Sequence, residues 1–112
     1  MTNNRVRSYG IHIGILPAGK FNAVTDVPGV KVGQVTLEDD ACGMHTGVTA
    51  ILPHGDNVFQ KKVPAGVFVG NGFGKSAGIP QINELGTLET PIVLTNTLNV
   101  ASGIEGLLSW TL

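Results

Sequence analysis

The residues able to attack a carbonyl, move a proton or hold a metal are few in this 112-residue sequence, and their spacing matters more than their number. Cys42, His45 and His54 invite a metal reading: a C-x-x-H step, then eight residues to the second histidine. That spacing matches no standard zinc pattern and brings no fourth ligand nearby, so no metal is expected. Ser8, Ser76, Ser102 and Ser109 are the available hydroxyl nucleophiles, yet no histidine–aspartate pairing can be assigned to any of them from sequence. Asp26 and the acidic run Glu38-Asp39-Asp40 do not form a convincing carboxylate pair for acid–base work. His12 lies opposite Ile11, Ile13 and Ile15 in an alternating run and reads as a surface histidine.

Gly70 to Gly78, G-N-G-F-G-K-S-A-G, imitates two phosphate loops. A P-loop needs a glycine five positions before the glycine of G-K-S, and that position is Val69; Gly70 is one residue too close. The relaxed dinucleotide pattern fits Gly72, Gly74 and Ala77, but it requires an acid at the end of the next strand to hold ribose. That strand ends in Thr95-Asn96. Close backbone packing with exposed amides is the better reading, and no cofactor is expected.

The elements that must position these residues can be read from periodicity and turn chemistry. Tyr9 to Leu16 alternates isoleucines with small or polar residues, as a half-buried strand would, although Gly10 and Gly14 weaken it. Val30, Val32 and Val35 predict a strand, bulged at Gly33, that runs into an acidic loop at 38–40. Gly47 to Pro53 predicts a buried strand, His54 to Asn57 a hairpin-like turn, and Val63 to Val69 a further strand. Ile79 to Leu85 reads as a short helix that tolerates Pro80 near its start and stops at Gly86. Pro91 opens a strand whose apolar run, Ile92-Val93-Leu94, predicts cover on both faces. Thr95, Asn96 and Thr97 then place polar groups at the strand's exit, where they either close a turn or line a site. A last helix starts near Val100, capped by Asn99 or Ser102, with Ile104, Leu107, Leu108 and Trp110 along its apolar side.

Composition narrows the function classes. The formal net charge is −1 and Lys61-Lys62 is the only adjacent basic pair, so nucleic-acid binding has no electrostatic footprint. No apolar run reaches the length of a membrane span, and no apolar signal region follows Arg5 and Arg7, so a cytoplasmic protein is expected. One cysteine excludes an internal disulfide framework. Charged residues make up only 13%, about half of ordinary usage, which suits a piece that buries surface against something else. The apolar ending at Trp110 and Leu112 points the same way: 1–112 reads as a single partial domain of a larger protein. The fold class expected is α/β of the α+β type, with mostly antiparallel strands.

Four stretches carry a resemblance. F-N-A-V-T-D-V-P-G-V-K-V-G, T-G-V-T-A-I-L-P-H, G-N-G-F-G-K-S-A-G and E-L-G-T-L-E-T-P-I-V-L-T-N-T-L occur in one order from residue 21 onward. They resemble the start of the α-chain in the β-peptidyl aminopeptidase / L-aminopeptidase–D-esterase family of self-processing hydrolases. The resemblance implies a four-layer αββα sandwich and an oligomeric assembly. It also implies a precursor that cuts itself before a serine, which then heads a separate β-chain and attacks amides or esters at the amino end of small peptides. The partners implied are the remainder of the α-chain, that β-chain, further copies in a homo-oligomer and a small peptide substrate. The strand-forming run and A-T-D-A-P-L-like segment that follow the family's nucleophile do not occur here, so this chain is expected to be inactive alone. At the matching positions, Asn71 and Asn96 are implied as substrate-pocket groups, and Glu105 as a group that holds a substrate ammonium. Two other classes stay open: a non-catalytic structural or binding fragment, and a nucleotide-binding domain resting only on the loop at Gly72.

Overall fold

The structure, a computed structural model, describes residues 5–112. Its central unit is a hairpin. Strand β1, Lys31–Asp39, pairs antiparallel with β2, Met44–Leu52, in unbroken register from Lys31 opposite Leu52 to Asp39 opposite Met44. The expected bulge at Gly33 is absent, because Gly33 lies directly opposite Ala50. The strand also runs through Glu38 and Asp39, which were expected in a loop. Each finds a cross-strand partner there, and Glu38 lies 3.9 Å from His45. The turn begins only after Asp39, whose carboxylate accepts the Ala41 N–H at 2.9 Å.

Strand β5, Ile92–Leu94, adds antiparallel to the other side of β2, giving the order β1-β2-β5. Between them lie β3, Val63–Pro64; helix α1, Ile79–Leu85; and β4, Thr87–Leu88. β3 and β4 form a separate two-stranded sheet. Gly86 stops α1 as its sequence demands: it takes φ +64°, which a side chain would disfavour, and its N–H bonds back to the Ile82 carbonyl at 2.8 Å. Helix α2, Val100–Thr111, closes the described chain. Neither Asn99 nor Ser102 caps it through a side chain; the Asn99 N–H is held instead by the Asn96 carboxamide at 3.1 Å. At its other end the Thr111 carbonyl accepts the Asn57 Nδ2 at 3.0 Å, from a residue 54 positions earlier. The observed class is therefore α+β with antiparallel sheets.

Two strand expectations fail, for one reason. Tyr9–Leu16 is a 3₁₀ turn at Val6–Tyr9 followed by irregular chain, with Ile11, Ile13 and Ile15 all exposed. Val63–Val69 contracts to Val63–Pro64, lengthened only by the Ala65 N–H bonding to the Gly86 carbonyl at 2.9 Å. An alternating apolar pattern makes a strand only where a neighbour supplies hydrogen bonds. The first segment meets no strand among the described residues, and the second meets a β4 only two residues long. The lead-in expected at 1–8 falls partly on residues 1–4, outside the described residues.

The hairpin's even- and odd-numbered residues divide the sheet into two faces. Val35, Leu37, Val48, Ala50 and Val93 share the face that α2 lies against; Val32, Ile51, Ile92 and Leu94 share the other. That second face carries no layer among the described residues, so Ile92 and Leu94 are 42% and 56% exposed rather than covered on both sides. Val58 is the one core hydrophobic among the described residues. The accessible surface is 8988 Å², against about 5,800 Å² for a compact monomer of this mass. The radius of gyration is 16.3 Å, against about 13 Å. Exposed apolar surface of this extent is unfavourable in water and marks an interaction surface.

The local ties are carboxylate-centred. Asp26 accepts the N–H groups of Phe21 at 2.8 Å and Ala23 at 3.1 Å, while Arg5 reaches the Phe21 and Asn22 carbonyls beside it. These bonds, the one from Phe21 first, hold the Asp26 carboxyl below the ordinary value of 3.8. The Cys42 thiol and then the Ala41 N–H do the same for Asp39, and Lys61, 2.7 Å away, for Asp56. A carboxyl depressed by folding stabilises the fold above its unfolded pKa and loses that contribution as pH falls through the folded value. Thermal unfolding should therefore be flat near neutral pH and shift downward only below pH 3.8, the ordinary value. Asp26→Asn should shrink that acid shift; an unchanged pH profile would show that the Asp26 knot is not retained in solution.

Candidate functional site

The β5 exit is the polar junction of the fold. Asn96 leaves the strand with its carboxamide turned back on the chain. Its Oδ1 accepts the N–H groups of Leu98 and Asn99 at 3.1 Å each, which closes a turn into α2. Its Nδ2 donates to Thr46 Oγ1 on β2 at 3.1 Å, across 50 residues of sequence. One amide hydrogen of Asn96 is left over. Of the two readings of the T-N-T exit, Asn96 shows the turn-closing one; the opening beside it is lined by Thr46, Thr95 and Asn99.

That opening is a groove of about 460 Å³ between α2 and the sheet. Its floor is Val35, Leu37, Val48 and Val93; its helix side is Gly106, Leu107 and Trp110. Thr46, Thr95, Asn99 and Ser102 also line it and supply its polar groups. The groove can accept an apolar body with one polar end. A second groove, of about 470 Å³, lies along β5, α1 and the loop before α1, where Lys75, Ser76, Gln81 and Glu89, with three threonines of the β4–β5 region, are among its hydrophilic lining.

The three residues implied by resemblance are not gathered by this chain alone. Asn96 adjoins the first groove through Thr46. Asn71 is exposed in the loop before α1 and lines neither groove. Glu105 is exposed on α2, away from the residues that line the first groove. Thr46 went unnoticed in sequence because nothing local marks it; its role comes from the β2–β5 register.

The letters Gly74-Lys75-Ser76-Ala77-Gly78 also satisfy G-x-S-x-G, the spelling of a nucleophile elbow. That elbow requires a strand running into a sharp turn and a helix, with a histidine in reach. Here α1 follows, but the chain from Ala65 to Ser76 forms no strand, and among the described residues no histidine bonds to Ser76. All three histidines are engaged elsewhere. His12 lies 3.4 Å from the Arg7 guanidinium. His45 sits between Glu38 and Asp40. His54 bonds the Lys61 carbonyl at 2.8 Å and accepts the Asp56 N–H at 3.2 Å. Among the described residues no serine hydroxyl meets a general base, no cluster of His, Cys, Asp or Glu could hold a metal ion, and no helix is long and apolar enough to cross a membrane.

Comparison with known proteins accounts for a fold whose apolar faces stand open. β-Peptidyl aminopeptidase BapA of Sphingosinicella xenopeptidilytica is 36% identical over 114 residues, covering 96% of this chain and 28% of that protein. The protein of the same name from Sphingosinicella microcystinivorans is 34% identical over 113 residues, covering 95% and 28%. Among solved structures, a Burkholderia sp. beta-aminopeptidase superposes with a TM-score of 0.84 at 42% identity, over 95% of this chain and 31% of that one. A protein from Pyrococcus horikoshii OT3 also gives 0.84, at 50% identity, over 94% and 32%. The chain thus spans less than a third of the length of each of these relatives. The family model of peptidase family S58 matches residues 22–112, and the chain belongs to that family.

Proposed function

We propose that this chain is the leading α-side segment of a self-processing aminopeptidase that hydrolyses amide or ester bonds at the amino end of small peptides. The observation that carries the reading is the pair of curated relatives, both named as β-peptidyl aminopeptidases and both aligned along nearly all of this chain. The exposed sheet face and the open groove support it, because they suit layers contributed by further polypeptide, as in a four-layer αββα sandwich. The serine nucleophile would then lie outside these residues, at the amino end of a β-chain. Its Oγ attacks the substrate carbonyl carbon, its own α-amine takes the proton, the departing amine is protonated, and water releases the acyl group. In this reading Asn71 and Asn96 line the substrate pocket and Glu105 holds the substrate ammonium.

The test is the protein expressed from its complete reading frame. Intact mass and amino-terminal sequencing should show two chains, the second beginning with serine, and the sample should release amino-terminal residues from short peptides. A single uncut polypeptide without hydrolysis would favour a non-catalytic member of the family. The lack of any serine–histidine pair among the described residues is the observation that keeps this second reading open.

A further inference from the structure

Asn71 is the one asparagine in the sequence that glycine follows. It stands in the loop before α1, outside every helix and strand, in a run from Phe68 to Gly78 whose residues are all exposed. Among the described residues neither its carboxamide nor the Gly72 N–H has a hydrogen-bond partner. The other described asparagines are placed differently. Asn57 and Asn96 engage both ends of their carboxamides in hydrogen bonds. Asn22 precedes Ala23, whose N–H the Asp26 carboxylate holds at 3.1 Å. Asn83 lies inside α1, and Asn99 precedes the β-branched Val100 at the start of α2. Glycine carries no Cβ to obstruct its own nitrogen, and its backbone turns freely enough to bring that nitrogen to the preceding side chain.

We propose that Asn71 is a self-modification site, deamidated in the folded protein through a succinimide that the Gly72 nitrogen closes. That nitrogen gives up its proton and bonds to Asn71 Cγ. The Cγ–Nδ2 bond breaks, and Nδ2 leaves as ammonia with the proton. Water, the only co-reactant, then opens the ring. Attack at Cγ leaves an aspartate. Attack at the main-chain carbonyl carbon leaves an isoaspartate, in which the backbone runs through the former side chain. Either product carries a negative charge where a neutral amide stood. Access to the site in the complete protein rests on the pocket role proposed for Asn71, since a pocket that a peptide enters also admits water. In that role the new carboxylate alters what the pocket binds, so the protein's activity changes with its age.

The test uses protein expressed from the complete reading frame, held folded at mildly alkaline pH and sampled over time by tryptic mass spectrometry, with a zero-time digest as the baseline. Cleavage after Lys62 and Lys75 releases the peptide 63–75, in which Asn71 is the only amide side chain. Its mass should rise by about 1 Da, and the product should divide into aspartate and isoaspartate forms. The rate should lie within about tenfold of that of the same peptide made synthetically. Gly72→Ala should slow the conversion about tenfold. The added Cβ would lie 2.3 Å from Val69 Cγ1, a contact that the valine side chain relieves by turning. Gly74→Ala, where a Cβ meets nothing within 4 Å, should leave the rate unchanged. A folded protein that stays unmodified while the free peptide converts overturns the proposal, and is the result expected if further polypeptide covers the loop. Equal rates in Gly72→Ala and the parent overturn it as well. Should Gly72→Ala fail to fold, the comparison with the free peptide decides. Peptidase activity is read on the same samples: conversion with activity fully retained keeps the modification and removes Asn71 from the pocket.

Discussion

Gly47→Val should separate the two arms of the central hairpin and cost the protein its cooperative unfolding transition. A Cβ built at Gly47 would lie 2.5 Å from the Val35 carbonyl oxygen and 3.3 Å from the Thr36 Cα. Both are backbone atoms of the paired strand, so no side-chain rotation relieves the contact. β2 is the middle strand, carrying β1 on one edge and β5 on the other. Moving it disturbs both ladders and, through Thr46, the Asn96 turn. Overpacking of this kind costs roughly 1–3 kcal/mol, and this site lies at the upper end because the blocking atoms are backbone. Gly33→Ala, on the opposing strand, is the matched control: a Cβ there meets nothing within 4 Å and the backbone φ is not positive. It should leave stability within about 0.5 kcal/mol of the parent. Thermal and denaturant unfolding of both variants in the complete protein measure the contrast. Equal stability would mean that the close approach of β1 and β2 at Gly47 is not present in solution.

Asn96→Ala is expected to act twice. It removes the acceptor for the Leu98 and Asn99 N–H groups and the donor to Thr46. Three hydrogen bonds at an exposed turn amount to about 2 kcal/mol. The second effect is on the substrate. If the remaining amide hydrogen faces the pocket, as proposed, KM rises in the folded variant. Thr46→Val separates the two effects, because it deletes the β2 partner and keeps the turn. It should cost less stability, about 1 kcal/mol, and free the Asn96 amide to move. Kinetics unchanged in both variants would restrict Asn96 to holding the turn into α2.

The family resemblance needed no structure. Its four stretches are contiguous runs of residues in a fixed order, and the family match over residues 22–112 and the curated relatives support it. The same is true of the elements with local signals. α1 appears at Ile79–Leu85 with its Gly86 stop, β5 at Ile92–Leu94 after Pro91, and α2 from Val100, because helix ends and apolar runs are written in adjacent residues. What depends on a distant neighbour was hidden. Tyr9–Leu16 has a strand's alternation but no strand beside it, and Val63–Val69 is cut to the length of its partner. G-K-S-A-G spells an elbow without the strand or histidine that would make one. Asn96 meets Thr46 across 50 residues, and Asn57 holds the end of α2 across 54. Local order by itself determined the helices, strand β5 and the kinship of this chain. Which polar groups converge, and which apolar faces stay open, was decided only by tertiary structure. Hydrogen bonds and burial depend on the approach of surfaces far apart in sequence, and no run of adjacent residues records that approach.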